Sequence, residues 1–305
     1  MKVFIFIIIL GTLSCHGFAQ SYEFCVLGKY GPVKVMKKGK KWTDVKTGDK
    51  LEKEDIVSLR DSAYLGLVHN SGKTLELKRE GKYKIENLSR QLSASTTELI
   101  PNLIELIFGN KNDLEDLLLS KKNKKISYTK GAMERSIIGQ SIALLNPRKI
   151  NLLDREIRLM WKKMPVKGKY EVKITDRFNK PVFSKVVDDT FLLVNKNELN
   201  LEKDECYFWK VNMAEYPEVQ SDEAYFLFLS DKKSSEIGKN LEQLKKQLGE
   251  NTTPASMIML AFFYESNLLI NEADNSFRES VEMSNGLKDY TELYWAFRQR
   301  EYFSK

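Results

Sequence analysis

The chain has 305 residues, 42% hydrophobic and 30% charged, which is ordinary for a folded protein and too apolar for a disordered one. Its length predicts two to three modules with real cores. Three cysteines exclude a disulfide-stapled miniprotein, and two histidines make a His-based metal centre or triad a poor fit. The net charge of +7 is modest and spread along the chain.

One long apolar run exists, at the N-terminus. Lys2 supplies a positive region, Val3 to Leu13 is too short to span a bilayer, and Gly17-Phe18-Ala19 places small residues at −3 and −1. Residues 1–19 are therefore expected to be a signal peptide cleaved after Ala19, with export to the periplasm or cell envelope. Leu13-Ser14-Cys15 offers a second route, lipid attachment at Cys15, but Thr12 stands where a lipobox wants Leu. Loss of residues 1–19 lowers the charge from +7 to +6. Lys37-Lys38 with Lys40-Lys41, and Lys121-Lys122 with Lys124-Lys125, read as solvated turns, or as attraction to an anionic glycan or membrane surface. Cys25 and Cys206 each lie in an apolar strand pattern, where a thiol packs as a small hydrophobe; an oxidising compartment also permits a bridge.

From Tyr22 to Leu88 the chain reads as short strands with turn punctuation: Val33–Met36, Trp42–Val45, Ile56–Leu59, Ala63–Val68, Thr74–Leu77 and Tyr83–Ile85. Alternation puts Leu65, Leu67, Leu75 and Leu77 on buried faces. Gly66 to Thr74 looks like a phosphate loop, but it has five residues between its glycines and leads into a strand, so a hairpin turn is expected and no nucleotide. His69, at that turn, is expected to face solvent.

Gly31-x-Val33-x-Val35, Trp42-x-x-Val45-x-x-Gly48-Asp49-x-Leu51-x-x-x-Asp55, Leu65-x-Leu67 with Gly72, and Leu77-x-x-x-Gly81-x-Tyr83 together resemble FecR-like domains of Bacteroidota envelope proteins. The resemblance implies a β-rich fold in which Trp42 plugs the core and Gly48-Asp49 shapes a turn, and it implies an envelope location. The sigma-regulatory role is not implied, because the anti-sigma segment and transmembrane helix of signalling FecR proteins have no counterpart. Helical spacing appears near residues 98–122, and Gly131-Ala132-x-x-Arg135 resembles the segment that closes such units. The module thus spans residues 20–136.

Residues 145–231 read as a second module, an antiparallel β-sandwich. Leu159-x-Trp161, Tyr170-x-Val172-x-Ile174, Leu199-x-Leu201 and Tyr207-x-Trp209-x-Val211 resemble fibronectin type III and immunoglobulin-like modules, with the aromatics as core. Asp188-Asp189 and Asp204-Glu205 lack the ligand spacing of a calcium loop.

Residues 234–305 read as helical. Ser234 or Ser235 caps a helix with Ile237, Leu241, Leu244 and Leu248 on one face, and Thr253-Pro254 opens the next. Met257, Leu260, Ala261, Tyr264, Ile270, Ala273 and Phe277 resemble one tetratricopeptide repeat, although Asn285 stands where Pro is usual. One repeat cannot stand alone, so the tail must lean on the sandwich or dock on a partner. The repeat resemblance implies that Ile258, Phe262 and Glu265 line a protein-binding concave face, unless they cover neighbouring helices.

The expected fold is multidomain, mainly β with a helical tail. No motif for nucleophilic catalysis occurs, and no cofactor, metal or nucleic acid is expected. The leading expectation is a non-catalytic envelope adaptor or scaffold with a protein partner. A glycan- or cell-wall-binding module is the alternative, and a carboxylate-based hydrolase the remaining enzyme class.

Overall fold

A computed structural model describes residues 22–92, 103–105, 108, 141–147, 149–153, 156–195, 199, 201–249 and 252–303. The expected leader at 1–19 with Cys15, most of the expected 98–122 helical stretch, the Lys121–Lys125 cluster and the Gly131–Ser136 segment lie outside them. The fold is mainly β with antiparallel sheets and a C-terminal run of helices.

Among its described residues the first module holds eight strands: β1 (Phe24–Tyr30), β2 (Val33–Met36), β3 (Trp42–Asp44), β4 (Lys50–Leu51), β5 (Ile56–Leu59), β6 (Tyr64–His69), β7 (Thr74–Leu77) and β8 (Gly81–Lys84). They form two antiparallel sheets, β4-β1-β6-β7 and β3-β2-β5-β8, around Phe24, Val26, Val35, Val57, Leu65 and Leu67. The Gly48-Asp49 turn forms as its residues predict. Gly48 has φ +83°, open to a residue without Cβ, and Asp49 accepts from the Lys46 amide at 2.8 Å. Asp55 is buried and clamps a second turn, accepting from Glu52 N at 2.9 Å and Lys38 N at 3.3 Å. Two expectations fail. Trp42 does not plug the core; it lies half-buried on edge strand β3, with Lys82 over its ring at 5.7 Å. Ile85 does not extend a strand but opens helix α1 (Ile85–Arg90).

His69 is not at the surface either. It is 3% exposed, with its ring edge-on to Phe24. The Ser71 amide donates to Nδ1 at 3.1 Å, so Nδ1 is unprotonated and the proton sits on Nε2. Nε2 lies 3.0 Å from Ser89 Oγ and donates to it; Ser89 donates in turn to the Glu23 carboxylate. A hairpin-tip residue is buried here because this network satisfies both ring nitrogens. Burial pushes the imidazole pKa below 6.5, against the pull of Glu23. A group depressed in the folded state contributes stability above its unfolded value and loses it as pH falls through the folded one. The urea midpoint of the wild type should therefore drop as pH is lowered past 6.5, and His69→Gln should flatten that dependence. Equal slopes for both proteins would remove His69 as the cause.

The second module has a five-stranded sheet, β12-β11-β14-β15-β9, facing the pair β10-β13. Its strands are β9 (Lys149–Leu152), β10 (Glu156–Met160), β11 (Tyr170–Asp176), β12 (Pro181–Val187), β13 (Phe191–Asn195), β14 (Cys206–Met213) and β15 (Ala224–Phe228). Among the described residues, β15–β9 is the parallel strand pair, with an isolated parallel bridge between Ile142 and Ser221. Trp161 and Trp209 are fully buried, and Trp161 packs edge-on to Tyr170 at 5.5 Å. At the strand expected over Leu199-x-Leu201, the described residues are in no strand; Leu199 is a buried turn residue, and the strand that pairs with β10 is β13. Cys25 lies buried in β1 and Cys206 half-buried at the start of β14, with no bridge between them.

The tail is four helices: α2 (Asp231–Leu248), α3 (Pro254–Ser266), α4 (Ile270–Met283) and α5 (Lys288–Phe303). The first cap is Ser230 rather than Ser234 or Ser235, while Thr253 closes a capping box with Ser256. The tail does more than lean on the sandwich. A single apolar cluster joins Cys25, Leu27 and Val68 of the first module to the helices and the sandwich core. Strands β1 and β6 thus have two buried faces, one toward their own sheet partner and one toward the helices.

Candidate functional site

Beside the packing of α3, the tail meets the first module through two adjacent residues at the start of α5. On β1 and β6, Gly28 stands directly opposite Gly66, and the two leave a flat notch across the ladder. The ring of Tyr290 fills it. A Cβ on Gly28 would lie 2.6 Å from Tyr290 Cε1, and one on Gly66 would lie 2.4 Å from its hydroxyl. Tyr290 is fully buried, with its hydroxyl 3.1 Å from that of Tyr64. Tyr64 donates to Glu76 at 2.8 Å, so Tyr290 is left to donate to Tyr64. Burial pushes both phenols well above their usual 10.0. Beside them Asp289 accepts from the Lys29 amide at 2.9 Å and from the Thr47 hydroxyl. An acid in the first turn of α5 also suits the helix dipole.

Next to this joint lies an open cleft of about 640 Å³. One wall is the first module, with Tyr30, Tyr64 and Lys78; the other is the α4–α5 turn with Met283, Leu287 and Lys288. The turn is a Schellman cap: Asn285 N bonds Glu282 O and Gly286 N bonds Val281 O, with Asn285 at φ +52° and Gly286 at φ +74°. That left-handed need accounts for Asn285 where the repeat pattern has Pro. Tyr30 is 62% exposed and Met283 40% exposed, so the mouth offers apolar surface. Lys78 lies 2.9 Å from Glu76 and Lys288 3.8 Å from Glu292, and both lysine side chains are exposed. The cleft pairs apolar side chains at its mouth with two lysine lips, each beside a glutamate, a chemistry for holding an amphipathic ligand. Among the described residues no three His, Cys, Asp or Glu side chains are grouped to hold a metal, and no helix is long and apolar enough to cross a membrane.

The residues expected to bind protein sit elsewhere. Ile258 and Phe262 are buried at 0% and 5% exposure, on a helix, α3, that packs on β1, β6 and β7. Phe262 meets the Phe277 ring edge-on at 5.1 Å. Glu265 Oε1 accepts from Arg300 Nε at 2.9 Å and Nη2 at 2.6 Å, while burial pushes its carboxyl up and Arg300 holds it down. In this conformation all three are engaged inside the chain, because the face that a longer repeat array would leave concave is covered by the chain's own elements. Sequence reasoning missed Tyr30, Lys78, Lys288 and the Asp289-Tyr290 pair. The signal available was glycine inside two strand patterns, which marks close approach of another group.

No family model matches the chain, and no curated protein matches it. Among solved structures it is similar to the crystal structure of chicken CNTN1 FN1-FN3 domains, at 9% identity and a TM-score of 0.20, over 68% of this chain and 58% of that one. The chain thus spans less than two thirds of that neighbour's length. A likeness of this size carries no functional weight, and the sandwich rests on its own strand order: mainly antiparallel β, closed by a helical tail.

Proposed function

We propose that the protein is an exported, non-catalytic envelope adaptor whose seam cleft holds a segment of a protein partner. The carrying observation is a cleft with walls from two modules, where Tyr30 and Met283 lie exposed between Lys78 and Lys288. Such a site favours a segment with an apolar anchor and flanking acidic residues. Export is supported by Lys2, the Val3–Leu13 run and Gly17-Phe18-Ala19. A FecR-like identity for the first module is supported by the paired turns that Asp49 and Asp55 clamp, and a tetratricopeptide-like identity for α3–α4 by buried Ala261, Ala273 and Phe277. Capture from envelope extract by the purified protein should recover one defined partner. Lys78→Glu with Lys288→Glu should weaken that capture by about tenfold or more, since each reversed lip charge opposes an acidic segment. Equal recovery by wild type and variant would remove the cleft from the reading.

A glycan- or cell-wall-binding reading is favoured by one observation, the open ring of Tyr30, which offers a flat apolar face to a sugar. Co-sedimentation with purified sacculi that persists at raised salt and is lost in Tyr30→Ala would support it over simple charge attraction.

A further inference from the structure

The sheet β3-β2-β5-β8 turns one face to the core of the first module, through Val33, Val35, Val57 and Leu59. Its registers set two rows of side chains on the other face. One row is Asp44, Lys34, Ser58 and Lys82; the next is Trp42, Met36, Ile56 and Lys84. Trp42, Met36 and Ile56 are half-buried, lie side by side, and belong to neither apolar cluster of the described residues. Trp42 and Lys82 stand on the two outer strands, three strand spacings or roughly 14 Å apart. Lys82 Nζ is nonetheless 5.7 Å from the centre of the Trp42 ring, so the two side chains reach toward each other over the sheet.

Charge on this face is one-sided. Lys34, Lys82 and Lys84 are exposed, and Asp44 is the one acid in the two rows. The ion pairs beside the face engage other lysines, Lys38 with Glu52 at 2.6 Å and Lys53 with Glu86 at 3.6 Å. The turn from β2 to β3 adds exposed Lys40 and Lys41 at the Trp42 end, and exposed Glu54 before β5 offsets one of them. Lys82 and Lys84 lie two residues apart on β8, roughly 7 Å, and Lys34 lies two strands from Lys82, roughly 10 Å. Cations so spaced around an apolar strip match acids repeated along a chain better than a single acid.

We propose that this face binds an acidic polysaccharide, with a sugar ring laid on Trp42 and carboxylates reaching Lys34, Lys82 and Lys84. A uronate ring carries C–H groups on its face and a carboxylate at its rim, so it meets the indole and the ammonium groups together. The site is additional to the seam cleft and shares no lining residue with it. A lipid surface would require an apolar side chain standing out beyond the lysines, whereas Trp42, Met36 and Ile56 are half-buried. Single-stranded nucleic acid stacks successive bases on successive aromatics, and the two rows hold one aromatic ring. A protein anchor fills a desolvated pocket, and a sheet face offers a broad strip instead.

Calorimetric titration of the purified protein with polygalacturonate oligomers tests this, with neutral dextran as the control. The wild type should bind the acidic oligomer and not dextran. Trp42→Ala should weaken binding by about tenfold at unchanged net charge. Lys34→Glu with Lys82→Glu should weaken it by about tenfold or more. The same charge change on the tail, at exposed Lys239→Glu with Lys246→Glu, should leave it within about twofold of wild type, because distant charges are screened. Lys78→Glu with Lys288→Glu should leave it equally unmoved, which separates this face from the cleft. Near-UV circular dichroism checks that Trp42→Ala keeps the fold; if it does not, the two lysine pairs still decide. No binding of the acidic oligomer overturns the proposal, as does equal binding of dextran. So does a folded Trp42→Ala that binds like wild type, or a tail reversal as damaging as the reversal on the face. Tighter binding of an oligothymidylate or of anionic phospholipid vesicles would overturn it in favour of that partner.

Discussion

Tyr290→Ala should lower the unfolding free energy by about 3–5 kcal/mol, the range for removing a large buried aromatic. The ring is fully buried against Gly28 and Gly66, two positions with no side chain that could collapse into the space it leaves. The loss also strands Tyr64, which then keeps Glu76 as its acceptor but has no donor from the tail. Tyr290→Phe keeps the packing and removes one hydrogen bond, so it should cost only about 1 kcal/mol. Urea titration of the three proteins gives these differences. Limited proteolysis gives their location: the Ser284–Lys288 turn, which lines the cleft, should become a cleavage site in the Ala variant before the sandwich does. If Tyr290→Ala and Tyr290→Phe lose the same amount, the hydroxyl chain rather than ring packing holds the seam. If the Ala variant loses almost nothing, the tail is held by α3 alone.

How far the sequence speaks for this arrangement depends on the burial of each element. Strands with one wet face announce themselves by alternation, and β2, β5 and β7 fall where the pattern places them. β1 does not alternate: Phe24-Cys25-Val26-Leu27 is apolar throughout because both of its faces are covered, one by the first module's core and one by the helices. A continuous apolar run says that a segment is buried, not what buries it, so the docking of the tail on β1 could not be read from β1. β13 was missed for a related reason. Phe191 to Val194 is a short apolar run without clear alternation, and Leu199-x-Leu201 mimics a strand although Leu199 is a turn residue. His69 shows the limit for polar residues. A lone histidine at a hairpin tip looks solvated until Ser71, Ser89 and Glu23 are seen to converge on it, and Ser89 comes from a helix that the pattern did not contain. The cleft was illegible altogether, since its walls come from residues more than two hundred positions apart that share no motif.

Gly28→Ala should change sign with its background. In the wild type the new Cβ falls 2.6 Å from Tyr290 Cε1, 3.1 Å from Cδ1 and 3.2 Å from Cζ, with Tyr290 supplying all three nearest atoms. The ring cannot retreat without losing Tyr64 and the hold of Asp289 on Lys29 and Thr47. The substitution should therefore cost about 1–3 kcal/mol as overpacking. Once Tyr290 is Ala, the three atoms nearest the methyl group are gone. Gly28 has no left-handed φ, so Ala fits its backbone. There the same change should stabilise the protein by about 0.4–1 kcal/mol, because alanine restricts the unfolded chain more than glycine does. A double-mutant cycle measured by urea titration isolates the coupling. A cost that stays the same in both backgrounds would assign the glycine to the bulge between Val26 and Gly28 instead. A reversal of sign would mean that a glycine in the first module and a tyrosine in the tail were fitted to each other, and that the cleft beside them is held open by a joint built into the chain rather than by a chance contact of two modules.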